Sequence, residues 1–376
     1  MEGFRSIFAD LKDPRTGNAR LHDLNEILVI ALCTMLCGGE DCSDMALFGQ
    51  AKEPFLRQFL PLEHGIPSHD TFSRVFRLLD PEQFHACFLV FMRHFAEGWP
   101  GVVALDGKTL RRSFDRAAGA SPLHLVSAWA TEQRLVLGQV AVGDKSNEIT
   151  AVPQLLKMLS LSGVVVTADA MACQREIART ITDQGGAYVL ALKGNQGTLL
   201  EDVKLVLGDP ALALATAQTT DGEHGRIAVR RAALTSEIAF LQESHAWPSL
   251  QAVGKITATR ETQTGTSQET RYFLLSEAFS PERFLAIVRA HWGIENGLHW
   301  VLDVTMNEDG LRNRKDHGPE NLALLRRLAL NLATLEPSKA SVKAKLKRAG
   351  WDNAYLVAIL AQAAKSLAQA AKSQVR

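Results

Sequence analysis

Short apolar runs, each bounded by polar or turn-forming residues, recur through the central part of the chain and predict five strands. These runs cover residues 102–105, 123–130, 134–142, 164–167 and 188–192. Two stretches with helical periodicity, residues 148–159 and 173–184, predict helices that separate the last three strands. The order is therefore β-β-β-α-β-α-β. It predicts three antiparallel strands, followed by two parallel strands with crossover helices.

This order is typical of a ribonuclease-H-like catalytic core, so we predict an α/β fold with a five-stranded mixed sheet and flanking helices. After the fifth strand, one helix is followed by alternating segments at 226–234, 252–260 and 271–275, which predict a β-rich insertion. Polar linkers are predicted at 219–222 and 262–268.

Helical periodicity dominates the two ends of the chain and supports a division into five parts. We predict an all-helical N-terminal DNA-binding domain, the first part of the core, the β-rich insertion, the closing helices of the core, and a basic helical tail. Their bounds are 1–98, 99–196, 197–277, 278–335 and 336–376.

Composition excludes some classes of protein. The formal net charge of the 376 residues is zero, which by itself does not indicate a nucleic-acid partner. The longest apolar run, residues 27–37, is too short to span a bilayer, and the N-terminus lacks a signal-peptide pattern. Five cysteines without zinc-ribbon spacing indicate reduced thiols. We therefore expect a cytoplasmic protein with no membrane partner.

The charge is unevenly distributed, because residues 337–376 hold eight lysines and arginines against one acid, Asp352. Such a segment suits a polyanion, although a solvated helix face would have the same composition. The short helices before residue 98 suit a helix-turn-helix-like DNA contact, with a helical packing or dimerisation domain as the alternative.

Two acids each follow a buried strand that the topology makes neighbours. Asp106 ends the first predicted strand and Asp169 follows the fourth, so both carboxylates should emerge at one edge of the sheet. Like charges at that distance are costly unless a cation neutralises them, and a divalent ion with oxygen ligands would do so.

A third acid is available on the helix predicted over 281–303. His291, Glu295 and His299 lie at i, i+4 and i+8, on one helix face. A glutamate on an inward face needs a partner, which is either a metal ion or an arginine. Two Mg²⁺ ions held by Asp106, Asp169 and Glu295 could support an in-line phosphodiester displacement, with Mn²⁺ as a substitute.

At this point the chain resembles DDE transposases of the H-repeat-associated (ISAs-type) insertion-sequence family, within the wider ribonuclease-H-like transposase clan. The resemblance covers nearly the whole chain. Its matching segments are 103–111, 145–149, 167–170, 173–174, 188–196, 224–226, 291–296 and 298–304. It implies that Asp106, Asp169 and Glu295 are the metal-binding catalytic triad. It also implies a nucleoid-associated bacterial protein that acts on double-stranded DNA at terminal inverted repeats, as a dimer on paired ends.

Several polar residues near these acids are predicted DNA contacts. Lys108 and Arg111 flank Asp106, and the segment from Lys193 follows the fifth strand. His291 stands where the wider clan has an arginine, while Leu302 replaces a lysine, so another cation must serve in its place. The predicted DNA-binding residues are Lys108, Arg111, Lys193, Asn195, Gln196, His224, Arg226, His291, Asn296, Arg312 and Arg314.

Three functions stay open at this stage. The first is an active transposase that hydrolyses and transfers DNA strands. The second is a domesticated DNA-binding protein without transposition activity. The third is a zinc hydrolase built on His291, Glu295 and His299, for which the sequence offers no obvious third neutral ligand.

Overall fold

The structure is a computed structural model that describes residues 8–96, 101–115, 117, 119–143, 147–223, 226–262 and 265–373. The N-terminal part is helical, as predicted. Its helices are α1 (Leu24–Leu36), α2 (Cys42–Leu56), α3 (His69–Leu78) and α4 (Pro81–Ala96). α1 begins after Asp23 and α3 after Ser68, because each of these side chains accepts a backbone N–H in the first turn.

The centre of the molecule is one mixed sheet. Its strands are β1 (Val102–Thr109), β2 (His124–Ala130), β3 (Leu135–Val142), β4 (Val165–Ala168), β5 (Ala187–Leu192), β6 (Ala215–Glu223), β7 (Arg226–Thr235), β8 (Ala252–Thr262) and β9 (Gly265–Leu275). The spatial order is β3-β2-β1-β4-β5-β9-β8-β7-β6. β1, β4 and β5 are mutually parallel neighbours, whereas β2 and β3 form an antiparallel meander on β1. The predicted directions are thus confirmed.

The prediction of a five-stranded sheet beside a separate insertion is wrong, since the sheet has nine strands among the described residues. β9 pairs antiparallel with β5, so the insertion strands continue the same ladder. The linkers predicted at 219–222 and 262–268 are largely strand: Thr219–Gly222 pair with Ile227–Arg230 across the β6–β7 hairpin. Pairing with a neighbour overrides the low strand propensity of Asp221 and Gly222, and the threonines of these segments are themselves favourable in strands.

The helices of the core and insertion are α5 (Glu148–Lys157), α6 (Arg175–Asp183), α7 (Gly197–Gly208), α8 (Ala239–His245) and α9 (Pro281–His291). α9 covers one face of the sheet, where Phe284 and Val288 pack with Ile256 and Phe273 in a buried cluster. A much larger apolar core on the other face joins the sheet to α5, α6 and the N-terminal helices. The sheet is therefore covered on both faces near β4, as expected for parallel strands.

The C-terminal helices pack against this body. They are α10 (Trp300–Val304), α11 (Gly318–Leu335), α12 (Val342–Trp351) and α13 (Asn353–Ser373). Residues 336–376 do not form a free basic tail in their described part, because Leu346, Leu356 and Ile359 are buried in the large core. Lys345 is also buried and donates to backbone oxygens of Ala333 and Glu336. Within the described ranges, no helix has the length and apolar character to cross a bilayer.

Candidate active site

Asp106 and Asp169 each follow one residue of a pair on two parallel strands. Leu105 pairs with Ala168, which is the last residue of β4; Asp106 is the next residue of β1, and Asp169 is the first residue after β4. Adjacent strands are about 4.8 Å apart. The prediction that β1 ends at Asp106 is wrong, because the strand continues to Thr109 by pairing with β2. After β4, the Asp169 carboxylate accepts N–H groups of Met171 (2.9 Å) and Ala172 (3.4 Å), which closes the turn into α6.

Glu295 lies in a break of the predicted 281–303 helix. α9 ends at His291, and a π-helical turn, Glu295–His299, precedes α10. Such single π turns are frequent at functional sites. Glu295 is exposed, while the two histidines face the sheet: His291 Nδ1 lies 3.0 Å from Thr167 Oγ1, and His299 Nδ1 lies 3.5 Å from Asp106 Oδ2.

The electrostatics of Asp106 depend on the acids around it. Burial, together with the negative charges of Asp169, Glu148 and Glu295, raises the pKa of its carboxyl to about 7, against one opposing backbone hydrogen bond from Gly107. A buried carboxylate among like charges is a position that favours a bound cation.

The donor chemistry fits a divalent metal ion, since carboxylate oxygens are the ligands that Mg²⁺ and Mn²⁺ prefer. In the described part of the chain, however, no three His, Cys, Asp or Glu side chains are gathered closely enough to hold an ion. Burial also lowers the pKa of both His291 and His299 to about 4, so neither ring carries a charge near neutral pH.

A fourth acid that sequence reasoning missed, Glu148, stands beside Asp106. It is the first residue of α5, and its Oε1 lies 2.7 Å from His124 Nε2 on β2. The segment around Glu148 was noted only as part of the family resemblance. Its approach to Asp106 depends on how α5 packs on the sheet.

Lys108 does not lie where a phosphate contact requires it. Its side chain is buried, and its Nζ lies 2.7 Å from Asp303 Oδ1, 2.9 Å from Asp309 Oδ1 and 3.5 Å from Glu308 Oε2. Burial alone would lower the pKa of Lys108, but these three carboxylates raise it above its ordinary value. The structure thus makes Lys108 the centre of a buried ion cluster. Arg111 is exposed, with its Nε 3.3 Å from Asp309.

An arginine groove that sequence reasoning missed runs beside Glu295. We define it by Arg230 on β7, Arg260 on β8, Arg271 on β9 and Arg289 on α9, around a cavity of about 480 Å³ that Glu295 and Asn296 also line. On each strand the arginine continues an alternating row of inward residues, as in Arg271, Phe273 and Leu275. This alternation along each strand is the sequence signal from which the arginine groove could have been predicted.

A smaller cavity of about 90 Å³ opens next to Asp169, on the other side of Trp292. Lys193, Arg271 and His291 line it, and the Arg271 guanidinium lies 4.5 Å from the centroid of a Trp292 ring. His291, a predicted DNA contact, lines this cavity with a neutral ring that is bonded to Thr167 through Nδ1, so a contact with DNA would be a hydrogen bond and not a charge pair.

Asn195 and Gln196 are used inside the protein. Asn195 Nδ2 donates to the carbonyl of Ala170 (2.6 Å), and Gln196 Nε2 donates to that of Cys173 (3.1 Å). Both bonds hold the loop that carries Asp169. This arrangement makes them positioning residues for the strand-end acid.

The remaining predicted contacts are scattered. Arg312 is exposed, whereas Arg314 lies 4.5 Å from the ring of Phe114 and donates to the carbonyl of Arg112. Arg226 begins β7. The side chain of Arg226 and the whole of His224 lie outside the described residues. The zinc-hydrolase alternative has no support, because His291 and His299 contact different strands and form no described metal cluster.

Comparison with known proteins gives matches over most of the chain. The family model "Transposase DDE domain" matches residues 99–332, and the model "DDE_Tnp_1-associated" matches residues 5–92. The "H repeat-associated putative transposase YhhI" of Escherichia coli strain K12 is 36% identical over 353 residues, which are 90% of this chain and 93% of that protein. "Putative transposase YncI" of Escherichia coli O157:H7 is 34% identical over 95% of this chain and 93% of that protein.

Among solved structures, a piggyBac transposase synaptic complex with hairpin DNA aligns with a TM-score of 0.42 at 11% identity, covering 95% of this chain and 77% of that one. The family assignment rests on the sequence matches, which cover the N-terminal helical part, the part that forms the sheet, and the segments around all three candidate acids. The chain therefore belongs to the DDE transposase family, and its function is that of a transposase.

Proposed function

We propose that the chain cuts and joins DNA at the terminal inverted repeats of an insertion sequence, with Asp106, Asp169 and Glu295 as the metal-binding catalytic acids. The observation that carries this proposal is the pairing of Leu105 with Ala168, which sets the two aspartates side by side. Glu295 is near enough to raise the pKa of Asp106. The five strands β1–β5 would then be a ribonuclease-H-like core, with residues 1–98 and 197–277 as added DNA-binding parts.

The three acids would hold Mg²⁺, most simply two ions, with Mn²⁺ as a substitute. When bound, the metal supplies a stabilised oxygen nucleophile and balances charge on the leaving oxygen. The residues of the chain would hold the catalytic acids in place. Asn195 and Gln196 fix the loop of Asp169, and the π turn directs Glu295 toward the arginine groove.

The arginine groove would hold the DNA backbone. Four guanidinium groups beside an exposed carboxylate suit a duplex whose phosphates are contacted on either side of the cleaved bond. Arg260 has no ion pair with any residue in the described ranges, and is thus available to a phosphate. We further infer that two copies act together on paired ends.

A cleavage assay tests this proposal. The full-length chain is incubated with Mg²⁺ and end-labelled DNA that carries the inverted repeats flanking the gene, and strand ends are resolved on a denaturing gel. We expect cleavage at the repeat ends, and its loss in Asp169→Asn. Asp183→Asn, an exposed acid that ends α6, is the matched control and should cleave normally. Cleavage by Asp169→Asn at the wild-type rate would refute the assignment.

A further inference from the structure

The segment at residues 145–149 resembles the family but has no role in the site described so far. Glu148 is the first residue of α5, and its carboxylate lies close to Gly107 of β1, the strand that carries Asp106. Its side chain is 16% exposed, and its charge acts on Asp106 more strongly than that of Glu295. A structural explanation is that Glu148 only begins a helix, where an acid is favourable. The contacts of the Glu148 carboxylate, however, go beyond what the first residue of a helix requires.

A chain of hydrogen bonds holds the Glu148 carboxylate in place. Thr109 Oγ1 lies 2.8 Å from His124 Nδ1, and His124 Nε2 lies 2.7 Å from Glu148 Oε1. With the threonine hydroxyl donating to Nδ1, the imidazole carries its proton on Nε2 and donates to the carboxylate. Among the described residues, no donor bonds to the second carboxylate oxygen of Glu148. One oxygen is thus fixed and the other is available.

Gly107 makes this approach possible. A Cβ atom at position 107 would lie 2.1 Å from Glu148 Oε1 and 2.5 Å from His124 Nε2. No other residue type could therefore stand beside Asp106 with the carboxylate in this place. Since the backbone of β1 is regular here, the glycine serves the close approach of Glu148 rather than a special backbone conformation.

We propose that Glu148 is a fourth carboxylate ligand of the metal that Asp106 holds, an inference that rests on the proposed function. Its carboxylate lies over Gly107, the residue after Asp106, and its charge acts on Asp106; a hard divalent ion takes such oxygen ligands. Metal-binding carboxylates are commonly oriented by a hydrogen bond to their other oxygen, which is the arrangement that His124 provides. Thr109 and His124 are then positioning residues.

Metal binding by the DNA-free, full-length protein tests the proposal without relying on activity. Free Mn²⁺ is measured by electron paramagnetic resonance during titration of the protein with Mn²⁺. We expect Glu148→Gln to weaken Mn²⁺ binding at least tenfold. Glu176→Gln is the matched control, because Glu176 is an exposed acid in the first turn of the neighbouring helix α6. It should bind Mn²⁺ as the wild type does.

Gly107→Ala provides a second variant in case Glu148→Gln does not fold. The added methyl group meets only the ends of two side chains, so it should displace the carboxylate and weaken Mn²⁺ binding while the sheet stays intact. Wild-type affinity in both variants, with binding lost in Asp106→Asn, would overturn the role of Glu148 and leave the proposed triad standing. Unchanged binding in Asp106→Asn as well would overturn the metal site itself.

Discussion

Replacing Asp106 with asparagine should make the metal-free protein more stable at alkaline pH while abolishing cleavage. Burial holds the pKa of Asp106 at about 7 in the folded protein, against 3.8 for the free side chain. The folded state therefore binds this proton more tightly than the unfolded state. Stability from this group is present at low pH and is lost as the pH rises toward 7.

The size of the effect follows from the pKa. From pH 5 to pH 7 the loss grows over about two pH units, or about 2.7 kcal/mol. The side chain is 27% exposed, so solvent screening reduces this to about 2 kcal/mol. Unfolding entropy of about 2.1 cal/mol/K per residue makes 1 kcal/mol equal to about 1.3 °C for 376 residues. Asparagine stays neutral and avoids the loss.

Differential scanning calorimetry in EDTA measures this difference. The melting temperature of Asp106→Asn relative to wild type should rise by about 3 °C from pH 5 to pH 8, and added Mg²⁺ should reduce the advantage by stabilising the wild type. Groups that do not interact with Asp106 are common to both proteins and cancel, so the difference reports Asp106 and the acids coupled to it, Asp169, Glu148 and Glu295. A difference that is the same at pH 5 and pH 8 would refute the electrostatic reasoning.

Three further outcomes are expected. Arg271→Ala should weaken DNA binding and reduce by about 1 the magnitude of the slope of the logarithm of the binding constant against the logarithm of the salt concentration, measured by fluorescence anisotropy. The control Arg179→Ala, at an exposed position, should leave both unchanged. Equal slopes for Arg271→Ala and the wild type would remove Arg271 from the DNA surface. Lys108→Met should destabilise the protein by about 3 kcal/mol in chemical unfolding, because the partly buried Asp303 and Asp309 lose this cation while Glu308 keeps Arg327. A loss of DNA affinity without destabilisation would restore the predicted phosphate contact of Lys108. Asn195→Ala should slow single-turnover cleavage about tenfold at saturating DNA, with unchanged affinity for DNA, because Asn195 holds the loop of Asp169. Weaker DNA binding at an unchanged cleavage rate would contradict that role.

How far the sequence predicts this molecule depends on how local each signal is. The strands β1 to β5 are predictable because each is an apolar run between turn residues. β6 is not, because Thr219 to Gly222 acquire strand structure only through pairing with β7.

The same distinction applies to the site. Asp106 and Asp169 could be found from strand ends and topology alone. The burial of Lys108 could not, because its partners Asp303 and Asp309 lie about two hundred residues away and meet it only in the folded state. Likewise, the contact of Glu148 over Gly107 requires knowing where α5 rests.

The continuous nine-stranded ladder constrains how this protein can diverge. Arg230, Arg260 and Arg271 share a face because the registers of β7 with β8 and of β8 with β9 agree, and a one-residue insertion within either paired segment would turn the following side chains to the opposite face. Length changes should therefore be tolerated only outside the paired residues, that is, between Glu223 and Arg226 and between Thr262 and Gly265. Among relatives, we expect these hairpin ends to vary in length while the strands between them and α9 vary only by substitution.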